Sequence, residues 1–333
     1  MTRVVLALLL LPGMAAGRPA QAPTAAVTQT AAPTLDRTAI REFLRTARVV
    51  RTRGTPKGVT SPRRLTLSDG TLEHDAVFQA IDEHKQIMRF ASGRVEIDFR
   101  DSYHFNIAAF EIAELLGLSH MVPVTIERTL RGEKGSLVWW VDWQWDEQTR
   151  AKEKIRPPDP LRWRQQWDVA RVFRELVDDT DRNQTNMLIT VDWRLWMVDF
   201  TRAFRRSDEI RSPESLRYCD RRLLARLRTL TIEGVRAVVG HHLRPAELEA
   251  VFERRTKIVD RFDRLIRERG EERVLFDLSS PELSPSPTPS SSPSPARADA
   301  APRRRASSPG TGPRRRSRRR PSPPASGSAR TAA

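Results

Sequence analysis

Apolar and polar positions alternate along Arg64-Leu-Thr-Leu67 and Ala76-Val-Phe-Gln79, on either side of the polar turn Ser68-Asp-Gly70. That period of two predicts a pair of strands. The period then changes. Phe105, Ala108, Ala109, Ile112, Leu115 and Leu116 fall on helical spacing within Tyr103–Leu116. Asp101-Ser102 stands ahead as a candidate cap and Gly117 closes the segment. Val122–Ile126 and Ser136–Val141 return to strand character.

The second half of the chain has a helical pattern. Asp159-Pro160 is an N-cap and first-turn pair, opening a helix with Trp163, Trp167, Ala170, Phe173 and Val177 on one face. Ser212-Pro213 predicts the start of a helix bearing Leu216, Leu223 and Leu227. Pro245 predicts another, carrying Leu248, Val251, Phe252, Val259, Phe262 and Ile266 and ending at Gly270. Between them, Met187–Thr190 and Leu195–Val198 flank the polar turn Val191–Arg194, which predicts a hairpin. The fold class expected is α+β in two lobes, strand-rich with one helix first and helical second. The folded unit spans residues 35–278, with lobes at about 45–143 and 157–278.

Charge and composition bound the ends of the chain. The net charge is +16, and Arg outnumbers Lys by 52 to 6. More than half of that charge comes from residues 279–333, with eleven Arg against Glu282 and Asp299 in a Pro/Ser/Ala background. Such a segment buries little and is expected to be disordered. It could touch an anionic surface, although a solvated tail is an equal reading, and sequence-specific nucleic-acid binding is not expected. Residues 1–22 follow a secretory-signal pattern: Arg3, an apolar run from Val4 to Leu11, then small residues. Export to the periplasm or medium is therefore expected, with 23–34 as a linker.

Cys219 is the single cysteine, so no internal disulfide can form. The six histidines show no ligand spacing, so a zinc enzyme is not expected; the absence of G-x-S-x-G leaves a serine hydrolase without support.

The chemistry concentrates in Asp181-Arg-Asn-Gln-Thr-Asn186 and Asp199-Phe200. Asp and Asn are also common turn residues. The hairpin between the two motifs, however, would set Asn186 beside Asp199. One carboxylate near an attacking hydroxyl, with an amide and a second carboxylate on a divalent cation, is the arrangement phosphoryl transfer needs. Arg182 and Arg202 are expected to form salt bridges. Two of Trp139, Trp140, Trp143 and Trp145 are expected in the core or against a base.

On these motifs, residues 50–275 resemble the atypical kinase-like superfamily. It includes phosphatidylinositol 3- and 4-kinases, HipA-type bacterial kinases and secretory-pathway protein kinases. The resemblance implies a protein-kinase-like fold, ATP or another nucleotide with Mg²⁺ or Mn²⁺, and a hydroxyl acceptor (protein, lipid headgroup, glycan or small molecule). It implies Asp181 as the catalytic carboxylate and Asn186 and Asp199 as metal ligands. Gly54, Lys57 and Gly58 fall in the phosphate-covering loop, and Ser136–Trp143 where the adenine-holding hinge would lie. Two positions depart from the pattern. Gln79 stands for the phosphate-binding Lys, and Asn106 for the Glu that pairs with it; together they could form a neutral hydrogen-bonded pair. Lys57, Arg63 or Arg64 could supply the missing cation, with Lys85 past the strand end a weaker candidate. A non-catalytic pseudokinase-type binding module is the alternative.

Overall fold

The computed structural model describes residues 36–54 and 62–278. The expected signal segment and linker, the Lys57–Gly58 stretch and the basic tail lie outside the described residues.

The chain enters through helix α1 (Arg37–Thr46), capped by the Asp36 carboxylate, which accepts the Ala39 N–H at 2.7 Å. Strands β1 (Arg48–Gly54), β2 (Arg63–Ser68) and β3 (Glu73–Gln79) follow. The Ser68-Asp-Gly70 turn joins β2 to β3, with the Asp69 carboxylate accepting from Thr71 and Leu72 at 2.8 Å each. A hairpin of β4 (Asp82–Arg89) and β5 (Val95–Ser102) then precedes helix α2 (Tyr103–Leu115). Strands β6 (Thr125–Leu130) and β7 (Glu133–Trp139) complete an antiparallel sheet in the order β1-β2-β3-β7-β6. Phe78, Leu65, Leu67 and Leu137 of this sheet share one buried core with Phe105, Ala109, Phe110 and Ile112 of α2, which packs against β6 and β7. Burying each large apolar side chain contributes roughly 1.5–3 kcal/mol, so this contact fixes α2 against the sheet.

Trp140–Gln144 carries the chain out of the sheet, and the Gln144 N–H bonds Ile189 O at 2.7 Å. Next come β8 (Trp145–Asp146), α3 (Glu147–Lys152) and α4 (Pro160–Leu176). Asp159 caps α4 with its carboxylate on the Arg162 N–H at 3.0 Å. Strands β9 (Met187–Ile189) and β10 (Leu195–Met197) form the expected hairpin, and β8 joins its β9 edge. Beyond it, β11 (Cys219–Asp220), α5 (Arg221–Thr229), α6 (Ile232–Val239), α7 (Pro245–Arg269) and β12 (Leu275–Phe276) complete the second lobe.

Two local expectations shift. Ser212-Pro213 opens only a 3-10 turn, Pro213–Ser215. The helix with Leu223 and Leu227 begins instead at Arg221, capped by the buried Asp220 carboxylate on the Leu223 N–H at 2.9 Å. Val122-Pro-Val124 is not strand, because Pro123 has no N–H to donate to a ladder; β6 starts at Thr125. Lys85 lies past the end of β3, as expected, within β4 and paired with Glu83 at 3.0 Å.

Candidate functional site

The β9–β10 hairpin brings the two acidic motifs together. Val198 N–H bonds Asn186 O at 3.0 Å, which seats the residue before Asp199 against the end of the Asp181–Asn186 loop. Asp199 itself has φ +60°. Asp and Asn are several-fold enriched in that left-handed region among residues other than Gly. The conformation turns the chain toward α2, where Phe200 N–H donates to Asn106 Oδ1 at 2.7 Å.

Asn106 is the hub of a buried polar network. Its Nδ2 donates to Gln79 Oε1 at 2.7 Å and approaches Ser136 Oγ at 3.1 Å. Gln79 in turn donates through Nε2 to Asp199 Oδ1 at 3.4 Å. The neutral pair anticipated for these two positions is present. Gly135 permits it: a Cβ there would meet Gln79 O at 2.4 Å, so only glycine lets β7 run this close to the end of β3.

Three carboxylates converge beside the network. Burial pushes the Asp199 carboxyl above its ordinary value, against the hydrogen bonds from Thr201 and Gln79, and Asp101 and Asp181 add repulsion. Asp101 is also raised by burial; the Thr201 hydroxyl and Arg202 act the other way. Ser102 N–H bonds Thr201 O at 2.8 Å, tying the end of β5 to the Asp199 segment. The pattern of residues suggested Asp101 only as a helix cap. No side-chain cap bond is made at Ser102, and Asp101 belongs instead to the acidic cluster.

Asp181 is fixed through its backbone. Its N–H bonds Asp179 Oδ1 at 3.0 Å, and its carbonyl accepts from Arg174 Nη2 at 3.3 Å. Arg182 pairs with Glu175 at 2.5 Å, rather than with Asp178 or Asp179 side chains. Arg202 forms the expected salt bridge, to Glu96 at 2.7 Å.

Oxygen donors suit a hard cation such as Mg²⁺ or Mn²⁺. Asp199 and Asn186 supply a carboxylate and an amide. The Asn186 amide nitrogen and Asp101 Oδ1 are both buried without a hydrogen-bond partner. Buried polar atoms left unpaired are costly, and an oxygen-coordinated cation answers both, with the Asn186 amide turned to present Oδ1. The donor set fits.

Among the described residues, the candidate cations for phosphate are otherwise engaged. Arg64 pairs with Asp75 at 2.6 Å and stacks over Trp140, 3.7 Å from the ring centroid. Arg63 pairs with Glu133. Gly54 ends β1 at the surface. Trp139 stacks on His74 with centroids 3.5 Å apart and touches Phe43, while Trp145 packs on Trp193. Trp143 is exposed.

By sequence alone, no protein-family model and no curated protein matches the chain. By structure, Fam20 of hydra, solved with a sugar, superposes with a TM-score of 0.50 at 14% identity, over 72% of this chain and 92% of that one. The Golgi casein kinase gives the same TM-score and identity over 72% and 77%. Its complex with Mn/ADP gives 0.50 at 13% identity over 74% and 80%. The chain has an atypical protein-kinase-like fold. In this kinase-like fold the five-stranded sheet with α2 forms one lobe and the helices from α4 onward form the other.

Proposed function

We propose that the protein is a metal-dependent phosphotransferase, moving the terminal phosphoryl group of a nucleotide to a hydroxyl acceptor. The observation that carries this reading is the meeting of Asp181, Asn186 and Asp199 around one short hairpin, with the Phe200 backbone anchored to α2 through Asn106. The Golgi casein kinase with Mn/ADP has the same fold and supports the nucleotide and metal assignment.

Asp181 accepts the proton of the acceptor hydroxyl and orients its oxygen for in-line attack. Asp199 and Asn186 would hold Mg²⁺ or Mn²⁺, which would supply charge neutralisation for the transferring group. Gln79 and Asn106 keep α2 and the Asp199 segment in register without adding positive charge. The phosphates then need another cation, and Lys57 is the one assigned to them from the sequence.

Calorimetric titration of ATP with Mn²⁺ into the full chain and into Asp181→Ala tests the reading. Both proteins should bind, and only the unsubstituted chain should release ADP or label an acceptor. Transfer that survives Asp181→Ala would remove that residue from the mechanism. No metal-dependent binding by the unsubstituted chain would leave a non-catalytic binding module, the reading that the neutral Gln79–Asn106 pair favours.

A further inference from the structure

Three of the six histidines, scattered in sequence, meet in space. His104 lies in the first turn of α2, while His241 and His242 form the turn between α6 and α7. Glu127 on β6 completes the group. One ligand atom from each of the four lies within 4.8 Å of all the others. His104 Nδ1 and His242 Nδ1 are 2.8 Å apart, and His241 Nε2 is 3.4 Å from Glu127 Oε2.

We propose that His104, Glu127, His241 and His242 form a binding site for a divalent transition-metal ion of the zinc class. Zn²⁺ takes four ligands in a tetrahedron with metal–nitrogen bonds of about 2.0–2.1 Å, which puts neighbouring donor atoms about 3.3 Å apart. The observed separations, 2.8 and 3.4 Å with all four atoms within 4.8 Å, bracket that edge, so closing on an ion requires donor shifts of about an ångström or two. Three imidazoles and one carboxylate select zinc, copper or nickel over magnesium or calcium. The site is thus chemically separate from the all-oxygen group at Asp199.

The surroundings prepare the ligands. Burial and the neighbouring imidazoles push His242 down to about 4, and burial lowers His104 as well, so both rings are neutral near pH 7 and offer a lone pair. Glu127 accepts a hydrogen bond from the Tyr103 hydroxyl at 3.3 Å, the kind of outer contact that orients a metal-binding carboxylate. The Tyr103 ring stacks on His104 with centroids 4.1 Å apart and limits its rotation.

The ion would join α2, β6 and the α6–α7 turn at one point. That cross-link spans both lobes, in a chain whose only cysteine is buried and unpaired. It also fixes α2 two residues before Asn106, the hub of the polar network.

The test uses the untagged full chain, stripped with chelator and dialysed against Zn²⁺ and, separately, Co²⁺. All six histidines belong to the described residues, and His74, His84 and His120 take part in no other such group among them. One equivalent of Zn²⁺ should bind, the melting temperature should rise, and Co²⁺ should give the intense visible absorption of tetrahedral coordination. The double variant H241Q/H242Q and the single variant E127Q should each bind at least tenfold more weakly, with circular dichroism confirming that they fold. Asp199→Asn should retain the full equivalent. Sub-stoichiometric binding, an octahedral Co²⁺ spectrum, or unchanged Zn²⁺ affinity in folded H241Q/H242Q would each overturn the assignment. Loss of the equivalent in Asp199→Asn would move the ion to the nucleotide cleft.

Discussion

Asn106 and Phe200 are joined by a single hydrogen bond of 2.7 Å, from the Phe200 N–H to the Asn106 side-chain oxygen. Through it, the helix of the strand-rich lobe holds the backbone of the residue next to Asp199. The other end of the same amide donates to Gln79, so one side chain serves both the sheet and the Asp199 segment.

Asn106→Ala should therefore be costly for its size. It leaves the Phe200 N–H and Gln79 Oε1 without their partners, and a stranded buried polar group costs about 1–3 kcal/mol. A loss of roughly 2–4 kcal/mol in urea unfolding is expected. A loss well under about 1 kcal/mol would mean that water or a rearranged Gln79 satisfies both groups.

Much of this network was legible in the sequence, because its members sit on the strongest local patterns. Ala76–Gln79 alternates cleanly, Tyr103–Leu116 has clear helical spacing, and the hairpin turn fixes how Asn186 meets Asp199. The β4–β5 hairpin was not legible. Asp82-Glu-His-Lys-Gln86 has no apolar alternation, and most of β4 is exposed. That hairpin is held by ion pairs, among them Arg202 and Arg205 with Glu96 and Arg206 with Asp98. Asp101 consequently read as a cap when it closes a strand beside Thr201. The histidine group was hidden for a different reason. His104 and His242 are separated by 138 positions and meet only through the packing of α2 near α6.

Asp199→Asn separates function from stability. The ionised carboxylate is held in a desolvated place beside Asp101 and Asp181, a cost that no protein group fully offsets. Asparagine keeps an oxygen for the Gln79 and Thr201 donors and is at least as tolerant of φ +60°. The ligand-free variant should melt higher than the unsubstituted chain, while the rise in melting temperature that ATP and Mn²⁺ give the latter should vanish. Differential scanning calorimetry reads both. A lower melting point for the variant would show that ionised Asp199 is well compensated within the protein.

Asp179 gives the fold a pH dependence of defined sign. Its carboxyl is pushed up to about 6 by burial, which outweighs the Arg174 guanidinium 2.7 Å away. In the unfolded chain the same group titrates near about 3.9. Between those values the folded protein holds a proton that the unfolded chain has released. The contribution to stability is therefore complete below about pH 4, falls as pH rises toward about 6, and is lost above that. The fall should be on the order of 2 kcal/mol. It is measured as the difference between the urea-unfolding profiles of the unsubstituted chain and Asp179→Asn from about pH 4 to 7. A difference that rises with pH instead would show that Arg174 prevails and keeps the carboxylate ionised. The bond from the Asp181 N–H to Asp179 Oδ1 would then be charge-assisted at every pH at which the protein folds.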